Sequence, residues 1–385
     1  MTVAIPSLDF RSHFTGVEDP RIDRTKVHAL MDILFICVAG TMAGADGPTD
    51  IEDFAKEQLA WCRKFVPLKN GVPSHDTIGR VLAAIKPDQF QKAFLDWVAS
   101  FASERDEDDE TDEPSFVPID GKTLRGSKGA KHRSKPLHLV SAWATKQGLT
   151  LGQVAVDTKS NEITAIPKLL KMLELSGAII SIDAMGCQKE IAKQIIKDGG
   201  DYVLAVKDNQ PTLSDAIQEF FLQRHENDDF RDYGCRQHTT IERSRGRIEE
   251  RCYTIAPVPK SMKHFCRAFK GLKSIGQVAT QTDHGKTQTG EVRYYISSRQ
   301  PRVKEFAKSA RGHWSIESMH WILDVVFGED SSRIRNGDGT ENFGFLRKFV
   351  LSLLKRDTSR GSLKGKRKRA GWNTKFLEKL LFGED

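Results

Sequence analysis

From about residue 27 to residue 101, apolar side chains recur at three- and four-residue spacing. The segments DILFICVAGTMAGA, DIEDFAKEQLAWCRKF and PDQFQKAFLDWVASF all carry this helical period. Between them, VPSHDTIGRVLAAI reads as a capped helix: Ser74 or Asp76 can accept the first free amides, and Ile78, Val81, Leu82 and Ile85 make one stripe. Residues 1–103 are therefore expected to form a helical N-terminal domain. Such a unit either grips DNA, for instance through a helix-turn-helix-like pair, or serves as a packing module, and the pattern leaves both open. The period then stops at ERDEDDETDEP, a linker over residues 104–114 by composition, closed by Pro114.

Beyond Pro114 the period changes from helical to extended. SFVPID, LHLVSAWAT, LGQVAVDT, GAIISIDA and DYVLAVK are short, β-branched, apolar runs expected to be strands. NEITAIPKLLKMLEL falls between the third and fourth, and QKEIAKQIIKDG between the fourth and fifth, each with helical spacing. Three strands, then helix, strand, helix, strand describes a meander followed by two crossover units, which is an α/β fold with a mixed sheet flanked by helices. That order is the RNase H-like one, and it assigns residues 115–209 to the first part of a core. TTIERSRGRIEERCYTIA, SIGQVATQT and EVRYYISS read as further strands, so residues 210–300 are expected to be a β-rich insertion. Helical spacing returns in VKEFAKSARGHWSIESMHWILDVVF, and residues 301–354 complete the core.

Composition narrows the setting. The apolar run at residues 33–45 is too short to cross a bilayer and has no basic region ahead of it, so a buried helix is expected, with no membrane partner. Six scattered cysteines without CxxC spacing fit a reducing cytosol and argue against a structural zinc site. The net charge of +7 points to an acidic partner without naming it. Its distribution is uneven: residues 355–375 hold nine Lys or Arg against the single acid Asp357. This basic tail, residues 355–385, either neutralises phosphates or packs as a terminal helix, since WNTKFLEKLLF has apolar residues at helical spacing.

Three carboxylates carry the chemistry. Asp120 in FVPIDGKTLRG and Asp183 in AIISIDAMGCQ each close an apolar run, and strand ends are where open α/β sheets bind ligands. If the two strands are neighbours, the charges converge and call for a hard divalent cation. In GHWSIESMHWILDV, the residues His313, Glu317, His320 and Asp324 form a polar stripe, with Trp314, Trp321 and Val325 beside it to pack on the sheet. Glu317 would thereby reach the two aspartates. The stripe could otherwise be a solvated face, or its histidines and Glu317 could hold zinc. Three carboxylates can hold two Mg²⁺ or Mn²⁺ ions about 3.5–4 Å apart, one activating water or a 3′-hydroxyl and the other stabilising the leaving oxygen of a phosphodiester. There is no G-x-S-x-G elbow and no GxxxxGK[ST] loop.

Over nearly its whole length the sequence resembles the H-repeat-associated, ISAs-type insertion-sequence transposases of the DDE superfamily. The resemblance is carried, in order, by DIEDFA, PSHDTIGRV, IDGKTLRGS, KSNEITAIPKLL, DAMGCQKEIA, GGDYVLAVKDNQ, RGRIEER, VRYYISS and HWSIESMHWILDVVFGED. It implies a catalytic, metal-binding triad of Asp120, Asp183 and Glu317, Mg²⁺-dependent cleavage at the ends of a mobile element, and joining of 3′-ends to target DNA. Relatives often place tyrosine and arginine seven and four residues before the glutamate and lysine seven after. Here those positions are Ala310, His313 and Asp324, which leaves Arg311, Lys308 or Arg333 to take up the phosphate contacts. Lys122, Arg125, Lys207, Asn209, Arg243, Arg245, Arg247 and His313 are further candidates for DNA contact. The expected partners are double-stranded DNA and, on DNA, a second copy of the chain, in the bacterial cytoplasm at the nucleoid. Two rivals remain: a nuclease on the same core that cuts without joining, and a DNA-binding protein with a dead site.

Overall fold

The computed structural model describes residues 10–102, 114–128, 136–156, 161–244, 246–285 and 287–383. Most of the acidic linker, and Arg245, lie outside the described residues. The N-terminal part is helical: α1 (Phe10–Phe14), α2 (Leu30–Ala43), α3 (Pro48–Glu57), α4 (Leu59–Cys62), α5 (His75–Ala84) and α6 (Pro87–Ala102). Ser74, not Asp76, caps α5, its Oγ accepting from the Thr77 amide at 3.3 Å. The helix α2 is buried on every side from Asp32 to Met42, which is why its sequence shows an unbroken apolar run. Its one acid, Asp32, accepts from the Leu68 amide at 3.0 Å.

The strands are β1 (Ser115–Leu124), β2 (Leu137–Ala144), β3 (Leu149–Val156), β4 (Ala178–Ile182), β5 (Asp201–Val206), β6 (Arg236–Ser244), β7 (Arg247–Pro257), β8 (Ser274–Asp283) and β9 (Gln288–Ser297). They form one nine-stranded sheet in the order β3-β2-β1-β4-β5-β9-β8-β7-β6. The first five make the RNase H-like half: β1 is antiparallel to β2 and parallel to β4, and β4 is parallel to β5. The crossover helices α7 (Glu162–Leu170) and α8 (Lys189–Lys197) lie where the sequence pattern puts them. The strands after α9 (Pro211–Asn227) do not stand apart as an inserted body. Strand β9 pairs antiparallel with β5, from Val203↔Ser297 to Val206↔Tyr294, so the later strands extend the core sheet and satisfy what would be an open edge. A short helix, α10 (Phe265–Ala268), links β7 to β8.

Four helices follow: α11 (Val303–Phe327), α12 (Gly339–Arg356), α13 (Leu363–Trp372) and α14 (Thr374–Phe382). The sheet's α7–α9 face has its own core, built around Ile119, Ile180 and Leu204. A second core joins both ends of the chain, since α2 and α6 share it with α12, α13 and α14. The basic tail is thus folded. The Arg367 guanidinium donates to Thr41 O at 3.0 Å, Val326 O at 2.6 Å, Ala45 O at 2.8 Å and Asp46 Oδ1 at 2.8 Å, tying α2 and α11 to α13. Lys366 and Arg369 both pair with the buried carboxylate of Asp357, at 3.1 and 3.8 Å.

The long helix α11 lies across the face of β1 opposite α7, and polar rungs set its register. His320 Nδ1 stands 3.5 Å from Asp120 Oδ2, and Lys122 pairs with Asp324. Two strand residues advance about 6.7 Å and four helix residues about 6 Å, so 120:320 and 122:324 are successive rungs of one ladder. The expected apolar stripe is not the one that packs. Ile316, Met319, Leu323 and Phe327 are buried, whereas Trp321 and Val325 are 55% and 49% exposed. The polar groups that β1 can satisfy select the inward face, and Trp321 and Val325 lie on the other side.

Beneath the ladder, the Lys122 ammonium also pairs with Glu329 at 2.8 Å and Asp330 at 3.6 Å. Burial works against the Glu329 charge, but Lys348, Lys122 and Arg347 outweigh it and hold the carboxyl below its ordinary value. Burial also pushes the Lys348 ammonium down to about 8.

Removing one member of a buried ion pair leaves the other uncompensated, so Lys122→Met is expected to cost about 3–5 kcal/mol in denaturant unfolding. A cost below 1 kcal/mol would show that the pair is solvated. In the terminal core, Leu377 is fully buried, so Leu377→Ala is expected to cost about 2–5 kcal/mol by the same measurement. A neutral result there would mean that the tail does not pack.

Candidate active site

The parallel ladder between β1 and β4 ends at Ile119↔Ile182, and the next residue on each strand is Asp120 and Asp183. The two carboxylates are therefore neighbours by register. Asp120 is not at a strand end, as the apolar pattern implied. Strand β1 continues against β2 as far as Leu124↔Leu137, so Asp120 stands in mid-strand where only the β4 side has opened. Asp183 does end its strand. Its Oδ1 accepts from the Gly186 amide at 3.3 Å and caps a 3₁₀ turn at Ala184–Gly186. That turn needs glycine: a Cβ at Gly186 would lie 2.2 Å from Ile182 Cγ2. The Asn209 side-chain amide donates to Ala184 O and braces the same turn from the end of β5.

Glu317 projects from the middle of α11, one turn before His320, and is exposed. Partial burial and the charge of Asp120 raise its carboxyl above the ordinary range, against the pull of Arg293 and His320. Burial, then the charges of Glu162 and Asp120, raise Asp183 likewise. For Asp120 burial is outweighed by His320, through a hydrogen bond and its charge, and by His313, so this carboxyl is lowered. Asp120 is the common member of two coupled pairs, with Asp183 and with Glu317. Among the described residues no three of His, Cys, Asp and Glu converge closely enough to hold a single ion. The alternative zinc set does not assemble either: His313 Nδ1 meets Ser181 Oγ at 3.1 Å, and His320 Nδ1 faces Asp120.

The surrounding cations divide by burial. Lys122 is 8% exposed and enclosed by three acids, so it is not free for a phosphate. Arg125 is exposed beside Asp330 at 3.5 Å, and Lys207 and Arg333 are exposed. Arg243 is exposed near the tip of the β6–β7 hairpin, and Arg247 pairs with Glu249 at 3.0 Å. Arg311 makes two 3.0 Å contacts to Glu242, and Lys308 is exposed. The three positions where relatives carry tyrosine, arginine and lysine are occupied structurally: Ala310 is buried, His313 bonds Ser181 and Asp324 pairs with Lys122.

Two features escaped the sequence reading. Arg251, Arg293 and Arg311 all stack on Trp314, at 5.1, 5.1 and 5.3 Å from the ring centre, and Arg251 and Arg311 line a groove with Glu317 and Trp321. Strict alternation in RIEERCYTI, which puts Glu249, Arg251, Tyr253 and Ile255 on one face, was the available signal. On the opposite sheet face, His138 Nε2 meets Glu162 Oε1 at 2.6 Å beside Gly121, where a Cβ would lie 2.2 Å from that oxygen. Glycine after Asp120 is the sequence trace of that pair.

Comparison with known proteins identifies the family. A family model described as "Transposase DDE domain" matches residues 111–353, and one described as "DDE_Tnp_1-associated" matches residues 11–98. The chain is 42% identical over 375 residues to "Putative transposase YncI" of Escherichia coli O157:H7, covering 96% of this chain and 93% of that protein. It is 37% identical over 377 residues to "H repeat-associated putative transposase YhhI" of Escherichia coli strain K12, covering 96% and 97%. A shorter relative from the same strain, "Inactive transposase YbfQ", is 38% identical over 71 residues, 18% of this chain and 84% of its own. With more than half of its length matched by the catalytic-domain model and two relatives aligned almost end to end, the chain belongs to the DDE-domain transposase family.

Proposed function

We propose that this chain is an active DDE transposase that cleaves the ends of an insertion sequence and joins the 3′-ends to target DNA, using Asp120, Asp183 and Glu317. The observation that carries this reading is the position of Asp120, coupled to Asp183 on one side and to Glu317 on the other. The donor set fits hard divalent ions. It consists of carboxylate oxygens, two of them raised by burial and mutual charge, with the nearby thiol of Cys187 buried. Asp120 with Asp183, and Asp120 with Glu317, would hold Mg²⁺ or Mn²⁺. Such ions, when bound, supply activation of water or a 3′-hydroxyl and stabilisation of the leaving oxygen. The protein's own part is to aim the carboxylates, hold Asp120 ionised through His320, and present Arg293 and Arg311 near Glu317 to a phosphate backbone, whereas Arg251 is buried and held by Glu249 and Glu242. Arg125, Lys207, Arg243, Arg247 and Arg333 extend this contact as exposed cations, and Arg245 is proposed with them from the sequence alone, whereas Lys122 acts by positioning. The chain is expected to work on DNA as a pair of copies at the bacterial nucleoid.

Asp120→Asn, Asp183→Asn and Glu317→Gln are each expected to abolish cleavage of the element's ends while duplex binding persists. A variant cutting at near the wild-type rate would remove that residue from the triad. Detection of a joined product with a target plasmid separates transposase from nuclease.

Metal binding should also compete with protons. Because the Asp183 and Glu317 carboxyls are raised, their protons leave at higher pH than from ordinary carboxyls. Mn²⁺ affinity, followed by titration calorimetry, is expected to weaken as pH falls, starting at a higher pH than ordinary carboxyls would give. Affinity that stays flat until ordinary carboxyls titrate would overturn this coupling.

A further inference from the structure

The nine basic residues between Lys355 and Lys375 divide cleanly once the tail is folded. Arg367 is buried among backbone carbonyls, and Lys366 and Arg369 pair with Asp357. The Lys355 ammonium lies 4.3 Å from the Trp143 ring centre. On the other side of α13, Lys364 and Lys368 are exposed and form no ion pair among the described residues. Four residues further on, Trp372 is 80% exposed; no other large apolar side chain among the described residues is as open. Lys364, Lys368 and Trp372 recur at i, i+4 and i+8, so they share one face of a helix whose opposite face, Lys366, Arg367 and Ala370, is buried. Trp372 contributes little to this core, and with Lys364 and Lys368 it forms one face that joins a flat aromatic ring to two unpaired cations. Lys375 stands exposed just beyond it.

We propose that this solvent face of α13 is a docking surface for the backbone of duplex DNA, outside the catalytic site. The inference rests on the reading of the chain as a protein that acts on DNA. The complementarity is of charge and of shape. Lys364 and Lys368 are about 6 Å apart along the helix axis, so two ammonium groups on flexible stems can each meet a phosphate of one strand. The flat indole beyond them covers deoxyribose, which carries no charge. Such contacts position a protein on DNA without reading bases. The buried half of the tail holds this helix against α2 and α11, so the docking face and the carboxylates belong to one frame.

Truncating the tail would open the core, so the test uses point variants of the full chain with the triad intact. Binding of a non-specific duplex is followed by fluorescence anisotropy across salt concentrations, beside thermal unfolding and sedimentation. Replacing both lysines (K364Q with K368Q) is expected to make the slope of log affinity against log salt shallower by about 1.8, at about 0.9 per phosphate contact. Trp372→Ala is expected to weaken binding several-fold with the slope retained, because it carries no charge. The melting temperature should stay at the wild-type value in both. An unchanged slope in the double variant overturns the proposal, as does a Trp372→Ala variant that dissociates a dimer while binding DNA normally, which would give the face to a second copy. If the wild-type chain itself shows no salt-dependent binding, the DNA reading fails and this inference goes with it. If the wild type binds and only the variants behave like it, the α13 face alone falls.

Discussion

Everything at the centre of this protein depends on laying one 25-residue helix across one strand in a single register. Apolar packing alone would not choose it, because α11 has large apolar residues around much of its circumference. The choice comes from His320 against Asp120 and Asp324 against Lys122, with the Lys122 charge further enclosed by Glu329. Buried charge is costly when unpaired, so a rotated or shifted helix would strand Lys122 and Glu329 in the interior. The rungs act as a key: they set the height of Glu317 relative to Asp120 and turn Trp321 and Val325 away from the sheet. Polar contacts of this kind contribute less to net stability than to the selection of one arrangement among several.

The same economy links the site to the chain's two ends. The helix α12 is buried around nearly its whole surface and carries Lys348 inside. Its ammonium donates to Gln153 Oε1 on β3 at 2.7 Å, and the Gln91 side chain of α6 accepts from the Gln153 amide and donates to its carbonyl. Arg367 closes the other side by gathering carbonyls at the ends of α2 and α11. The N-terminal helices and the tail therefore form the wall against which α11 leans. Losing either end would expose this shared core.

Charge is sorted by depth across the whole molecule. Near Glu317, Arg293 and Arg311 stack on Trp314 and keep part of their surface open, while Arg251 on the same ring is buried and paired with Glu249 and Glu242. Deeper cations, Lys122, Arg367 and Lys366, are consumed by structure. The net charge of +7 thus overstates how much positive surface is available and says nothing of where it lies.

Much of this was legible in the chain. The change from helical to alternating period located the core, and strand–helix order gave its topology, because those patterns are local consequences of which face is buried. Asp120 and Asp183 stood out because each follows an apolar strand and precedes small residues, and Gly121 and Gly186 turned out to be required by close neighbours. Other features depended on residues far apart in sequence. That β9 pairs with β5 joined the expected insertion to the core sheet, and no local pattern encodes which edge a strand will meet. Lys122 looked like a phosphate ligand until its three acidic partners arrived from about two hundred positions away. The tail's charges looked equivalent until packing divided them into buried and exposed. By itself, then, the sequence determined the elements, the order of the core strands and the placing of Asp120 and Asp183 after apolar strands, since these follow from periodicity and residue chemistry. Only the tertiary structure decided which face of α11 is inside and which cations remain free, because burial and ion pairing are properties of contacts between distant segments.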